Sequence, residues 1–336
     1  MSIGGREATG DRREVGHTLT SLLSGAGIYL VVILLVIVGA ATSPGFLAPD
    51  RLLGTFQNVA LLGIVATGVA FVTFSGHFAD LSVPAIMALS GIVTVSALRF
   101  GLWPAMALGV GAGLVVGAIN GWVIGYLRAN AIIWTLVTAA AGSGFIRWAF
   151  SNKQAYPMAD TPSGGAFIAL YGGKLMGGLP LIVLVWAALI ALGHFLLART
   201  KFGAQIKLAG ASYEVARMTG VNTRRVTLSA FLLSALAASI GGILLASLNK
   251  LGAEYIGKGY DFTAVTAVVL GGVTLAGGRG SMAGVLGGVL AIGLLEDVLT
   301  LNGVGVDPQE VVKGALFIVV VGVAAYLARR QGADDE

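Results

Sequence analysis

LAGASYEVARMTGVNTRRVTLSAFLLSALAASIGG, residues 208–242, joins a polar, basic start to a long apolar run through one short amphipathic turn. The spacing predicts a small helix over 211–221. Ser212 stands as its N-cap, Glu214 lies in its first turn and Gly220 is a natural C-terminal stop. Val215, Met218 and Thr219 share one face, with Glu214 and Arg217 beside them. Such a segment is either an ordinary surface helix in a loop or a docking surface held between two membrane helices.

Composition fixes the class of protein around that stretch. Of 336 residues, 56% are hydrophobic and 11% charged, against roughly 25% charged in soluble domains. Mean hydropathy is +0.89. The expected fold is an all-α polytopic membrane protein in contact with the lipid bilayer. The 51 glycines point to closely packed membrane helices. The chain has no cysteine, which excludes disulfides and thiol chemistry. Its net charge of +5 is small and unevenly placed, so it reads as membrane topology rather than nucleic-acid binding.

Residues 1–20 form a polar tail, expected to be disordered and cytoplasmic. One membrane domain is expected over 21–328, and 329–336 form a second cytoplasmic tail. Apolar segments at 22–42, 52–75, 81–98, 102–127, 131–150, 179–198, 226–247, 262–276, 282–301 and 310–328 give about ten spanning or partly spanning helices. One break interrupts them, at 75–91, and no second break pairs with it. Asp80 sits there between apolar runs, and Pro84 opens the next helix. An ionised group at membrane depth costs about 2.5–3.5 kcal/mol. Asp80 therefore either caps the helix that follows or lines a pathway. Gly109, Gly113, Gly117, Gly121 and Gly125 recur every fourth residue. Steps of about 400° wind them into a groove for a neighbouring helix.

Residues 151–178 are rich in Gly, Pro and Ser and read as an outer, periplasmic loop, with a short interfacial helix at 166–171. Residues 199–225 form the densest basic loop, holding Arg199, Lys201, Lys207, Arg217, Arg224 and Arg225 against one acid, Glu214. The positive-inside rule places it in the cytoplasm with both termini. Inside loops then hold the larger share of the 21 Lys and Arg residues. No phosphate-binding Gly-x-x-x-x-Gly-Lys-Ser/Thr occurs, and His17, His77 and His194 lack metal-ligand spacing. No metal, cofactor or catalytic set is expected. Glu296 and Asp297 are the main ionisable residues inside spans.

Three stretches in order carry a resemblance. The first is Asp80-Leu81-Ser82-Val83 with Met87 to Gly91. The second is Ile119-Asn120-Gly121 with Leu127 to Asn130 and Ile133 to Thr138. The third runs from Gly210 to Gly220, then Val268 to Val273 and Leu275 to Ser281. From about Asn58 to the last span, the chain resembles the permease subunit of ribose-type bacterial ABC sugar importers. The resemblance implies a multi-pass inner-membrane protein working as a two-fold permease pair. It would receive a monosaccharide, ribose-, xylose- or galactose-like, from a periplasmic binding protein. A cytoplasmic ATPase, binding ATP-Mg itself, would drive it. Glu214, Ala216, Arg217 and Gly220 fall at the positions of the ATPase-coupling motif. Pro84 stands where the family generally has glycine, and Glu296 and Asp297 where it is commonly uncharged.

Substrate-pathway candidates are Asn58, Ser75, His77, Asp80, Ser82 and Asn120, polar groups able to exchange hydrogen bonds with a sugar. Rival readings are a permease for branched-chain amino acids, nucleosides or a sugar-like signal, and a secondary carrier working alone.

Overall fold

The computed structural model describes residues 27–175 and 178–333. The tail at 1–20, the first residues of the opening span and the last three residues lie outside them. Among the described residues the regular elements are all helices, joined by turns and loops, with two isolated β-bridges, Ala155 with Gly252 and Lys174 with Pro180.

Two long helices form the centre, α2 (Pro49–Phe74) and α10 (Thr223–Asn249). α2 is buried along most of its length, as expected for a helix that is apolar on every side. Around them stand α3 (Val83–Ala97), α4 (Leu102–Leu127), α5 (Ala131–Ala149), α7 (Leu181–Arg199) and α12 (Met282–Leu301). Including the 3-10 turn that extends α3 to Phe100, these seven helices are long and apolar enough to cross a membrane. α4 turns Leu108, Val115, Ile119 and Trp122 outward, the side chains a lipid-facing surface requires.

The remaining elements refine the expected segments. α1 is apolar over its described residues, Gly27–Thr42. The short helix expected at 166–171 is α6 (Pro162–Gly172), and it packs on the bundle. Phe167 and Tyr171 are buried, and Ser247 at the end of α10 donates to Phe167 O (2.6 Å) and accepts from Tyr171 N (3.0 Å). α8 (Lys201–Ala211) and α9 (Tyr213–Met218) form the basic connection. α13 (Val306–Ala333) closes the described chain.

One expectation is corrected. The pattern predicts a span over 262–276, but α11 (Tyr260–Leu270) stops at Leu270. At about 1.5 Å per residue it covers only half a bilayer. Five of the ten residues from Gly271 to Gly280 are glycine. Gly272 takes φ +81° and returns its N–H to Val269 O, which ends the helix in a turn that side chains disfavour. The chain therefore has a second break, at 271–281. α3 follows the first break and α11 precedes the second.

The glycine groove of α4 faces α3 and α10. A Cβ at Gly109 would lie 2.0 Å from Thr94 Oγ1, at Gly113 2.0 Å from Ser239 Oγ and at Gly117 2.3 Å from the Ala235 methyl. At Gly121 it would stand 2.8 Å from Leu228 Cα, and at Gly125 2.9 Å from Arg224 O. Gly111 on the same helix meets nothing within 4 Å. Gly117→Val should therefore destabilise the purified protein by about 1–3 kcal/mol through overpacking. Gly111→Ala should be neutral or up to about 1 kcal/mol stabilising. Thermal unfolding in detergent checks both, and equal effects would contradict the packing.

Candidate functional site

The first break places a carboxylate inside the bundle. Asp80 is fully buried, and an ionisable group in such a place must find donors. Ser82 supplies two of them to Asp80 Oδ1, its backbone N–H at 3.1 Å and its hydroxyl at 2.5 Å. Ser234, across on α10, donates to Oδ2 at 2.9 Å. The positive end of the α3 dipole lies just beyond. Asp80 therefore caps no N–H of α3, whose N-cap Ser82 makes no side-chain cap bond; it closes a local turn onto Ser82 N and ties the break to α10.

The network continues outward. Asn120 on α4 donates to Ser82 Oγ (2.8 Å). Its Oδ1 accepts from Trp134 Nε1 (3.1 Å) and Thr138 Oγ1 (2.8 Å), both on α5. Leu81 N donates to Thr135 Oγ1 at 3.1 Å. Asp80, Ser82 and Asn120 are therefore brought together, with every group engaged by a neighbour. Asp80, Ser82, Asn120, Thr135 and Ser234 are all sealed from solvent. In this conformation the cluster is a closed polar knot of hydroxyls and amides. It holds no activated nucleophile or acid–base pair, and its chemistry is the exchange of hydrogen bonds.

The other pathway candidates lie apart from the knot. Ser75 donates to Val72 O (2.7 Å) and its hydroxyl meets His77 Nδ1 at 2.9 Å. The His77 ring stands edge-on to Phe231, 5.8 Å between centroids. Asn58 is exposed near the start of α2, where its Oδ1 accepts from Tyr171 OH (3.2 Å). Ser234 had no signal of its own in the sequence, and Thr135 and Thr138 entered only as part of the 133–138 stretch, with no role of their own. A serine among alanines, or a threonine in an apolar helix, looks like ordinary packing until its partner is located.

The basic connection is folded much as its caps require. Ser212 Oγ accepts from Val215 N (3.3 Å), and Gly220 turns the chain at φ +78°. Asn222 then caps α10 by accepting from Arg225 N at 3.1 Å. Ala216 is buried, while Glu214, Arg217 and Gly220 are exposed. Val215 and Met218 also point outward, Met218 being 83% exposed. The apolar face of this small helix is thus left uncovered. Arg128 and Arg217 each place a guanidinium over the Tyr213 ring, at 5.6 and 5.8 Å.

Just before this helix, three chain segments meet backbone to backbone. A Cβ on Gly210, in α8, would lie 2.1 Å from Phe74 O and 2.5 Å from Gly278 N. One on Gly277 would lie 2.5 Å from Gly76 Cα. Gly76, Gly277 and Gly278 all take positive φ, which only glycine adopts without strain. Gly278 N donates to Phe74 O at 3.1 Å. The junction therefore ties the residues before α9 directly to both breaks.

Comparison with known proteins agrees with this architecture. The family model described as "Branched-chain amino acid transport system / permease component" matches residues 51–321. The L-arabinose ABC transporter permease protein AraH of Azospirillum brasilense is 32% identical over 306 residues, covering 89% of this chain and 87% of that one. The L-arabinose transport system permease protein AraH of Escherichia coli K12 is 33% identical over 297 residues, covering 88% of each. The ribose import permease protein RbsC of Bacillus subtilis 168 is 32% identical over 309 residues, covering 91% and 93%.

The knot generates a stability test. Asp80→Ala strands two buried hydroxyl donors and should destabilise the protein by about 1–3 kcal/mol for each group left unsatisfied. Ser234→Ala should cost less, since Asp80 keeps its bonds from Ser82. The double variant should fall short of the sum by about 0.5 kcal/mol or more, because the residues share one bond. Additive shifts in thermal unfolding would show that the bond does not hold α10 to the break.

Proposed function

This chain belongs to the permease-component family of ABC importers, among the sugar permeases of the ribose type, and from that membership we propose that it carries a monosaccharide across the bacterial inner membrane. The full-length relatives named for L-arabinose and ribose support a pentose or a similar sugar. The wider family description names branched-chain amino acids, but relatives matched over most of their length transport sugars.

The observation that carries the mechanism is the glycine junction. α9 presents Glu214, Val215, Arg217 and Met218 outward, fitting a cytoplasmic ATPase that binds ATP-Mg itself. Ala216 anchors the helix inward and Gly220 gives it a sharp exit. Gly210 lies two residues before the Ser212 cap and packs on Gly76 and Gly278. A push on α9 would move both breaks together, since backbone in contact with backbone leaves no side chain to absorb it. The Asp80 knot is the element such a push would open. Its hydroxyls and amides would then be free to exchange hydrogen bonds with a passing sugar, while affinity resides in a periplasmic binding protein. On this reading 199–225 and both termini lie on the cytoplasmic side and 151–178 on the periplasmic side, as the basic residues of 199–225 favour. Two copies would form the permease pair, with about ten spanning or partly spanning segments in each.

Reconstitution with the cognate ATPase and binding protein in proteoliposomes tests the substrate class. ATP-dependent uptake of D-ribose, L-arabinose or another monosaccharide is expected. Uptake of leucine but of no sugar would refute the proposal. Glu214→Arg reverses one charge on the exposed helix face without touching the core. It should abolish co-purification of the ATPase while leaving membrane insertion unchanged. Undiminished co-purification would exclude α9 as the docking helix.

A further inference from the structure

A cavity of about 310 Å3 lies between α11, α12 and α13. Phe262, Thr263 and Thr266 line it from α11, Ile292 from α12, and Lys313 and Phe317 from α13. That volume is at the small end of the roughly 300–1,000 Å3 typical of small-molecule sites.

Its polar groups are unusual for a helix-lined cleft. Lys313 Nζ meets Glu296 Oε1 at 3.0 Å and Glu310 Oε1 at 2.6 Å, with the lysine side chain only 16% exposed. An ammonium has three hydrogens, so one is left beyond these two partners. Glu310 is 55% exposed and its second oxygen reaches toward Gly259 at the rim. Thr266 donates to Phe262 O at 2.7 Å, whereas the Thr263 hydroxyl has no partner among the described residues. Opposite these groups, Phe262 and Phe317 form an edge-to-face pair 5.7 Å apart. The cavity thus joins an apolar wall to one acceptor, one cationic donor and one hydroxyl.

We propose that this cleft is a transient binding site for a neutral, polyhydroxylated small molecule, a monosaccharide on the reading of the preceding subsection. Sugar hydroxyls donate to Glu310 and accept from Lys313 and Thr263, and the C–H face of the ring lies on Phe262 and Phe317. Two carboxylates against one ammonium leave a net negative charge that repels anions. A lipid chain would fill the apolar wall but leave the Lys313–Glu310 pair without a role.

The chain has no cysteine, so Thr263→Cys creates a unique thiol on the cavity wall. The test is the rate at which a small water-soluble methanethiosulfonate labels it, in the assembled complex in membranes, with millimolar D-ribose, L-arabinose, leucine or nothing. The sugar that the parent complex transports should slow labelling several-fold, and leucine should not. Adding Glu310→Gln should abolish that protection while the unprotected labelling rate holds. A parent that transports a sugar, with no sugar slowing the reaction, would overturn this site and leave the transport reading intact. A parent that transports and is protected by leucine would overturn both. A thiol that reacts only after delipidation would mark a lipid pocket and also overturn the site. Phe262→Trp provides a second measure, since a larger ring narrows the cleft. Hexose uptake should fall more than pentose uptake, and an unchanged ratio contradicts the assignment.

Discussion

A carboxylate in an apolar interior has to be surrounded by donors, and much of this bundle is arranged to supply them to Asp80. Ser82 and Ser234 engage its two oxygens, Asn120 engages Ser82, and Trp134 and Thr138 engage Asn120. Four separate parts of the chain are drawn to one point by this requirement. The bond from Ser234 also sets how close α10 must come. Small residues allow that approach from both sides. A Cβ on Gly117 of α4 would collide with Ala235, and one on Gly68 of α2 would stand 2.4 Å from the Ala237 methyl. The glycines and the buried acid are therefore parts of one arrangement. Close backbones bring the hydroxyl to the carboxylate, and the carboxylate fixes the register of the helices.

Close approach serves a second purpose at the end of the bundle that carries the basic loop. Side chains between two elements act as a compliant layer, able to change rotamer when one element moves. Gly76, Gly210, Gly277 and Gly278 remove that layer. Displacement of α8 and α9 must then act directly on the chain entering the first break and the chain leaving the second.

Much of this was legible in the sequence because its causes are local. Hydropathy over about twenty residues reports a membrane helix whatever surrounds it. The Ser212 cap and the stop at Gly220 act on neighbouring peptide groups, so the small helix could be read from spacing. The four-residue glycine period of α4 announced a groove. The end of α11 was misjudged because Val273, Leu275 and Ala276 keep the hydropathy high after the helix has stopped. The turn there depends on the φ of Gly272, on which hydropathy is silent. The missed second break followed from the same error.

What the residues determined alone was the solvent this protein lives in, the position of most helices, and the charge and caps of its connecting segment. These depend on side-chain transfer energies and on contacts within a few residues. Only the tertiary structure decided which polar residues act together. It joined Asp80 to Ser234 across 154 positions of sequence, separated Asn58 from the knot, and set Lys313 between Glu296 and Glu310. The physical reason is that a hydrogen bond or ion pair between distant residues leaves no trace in local composition. It comes into being when helix packing brings the two groups within about 3 Å of each other.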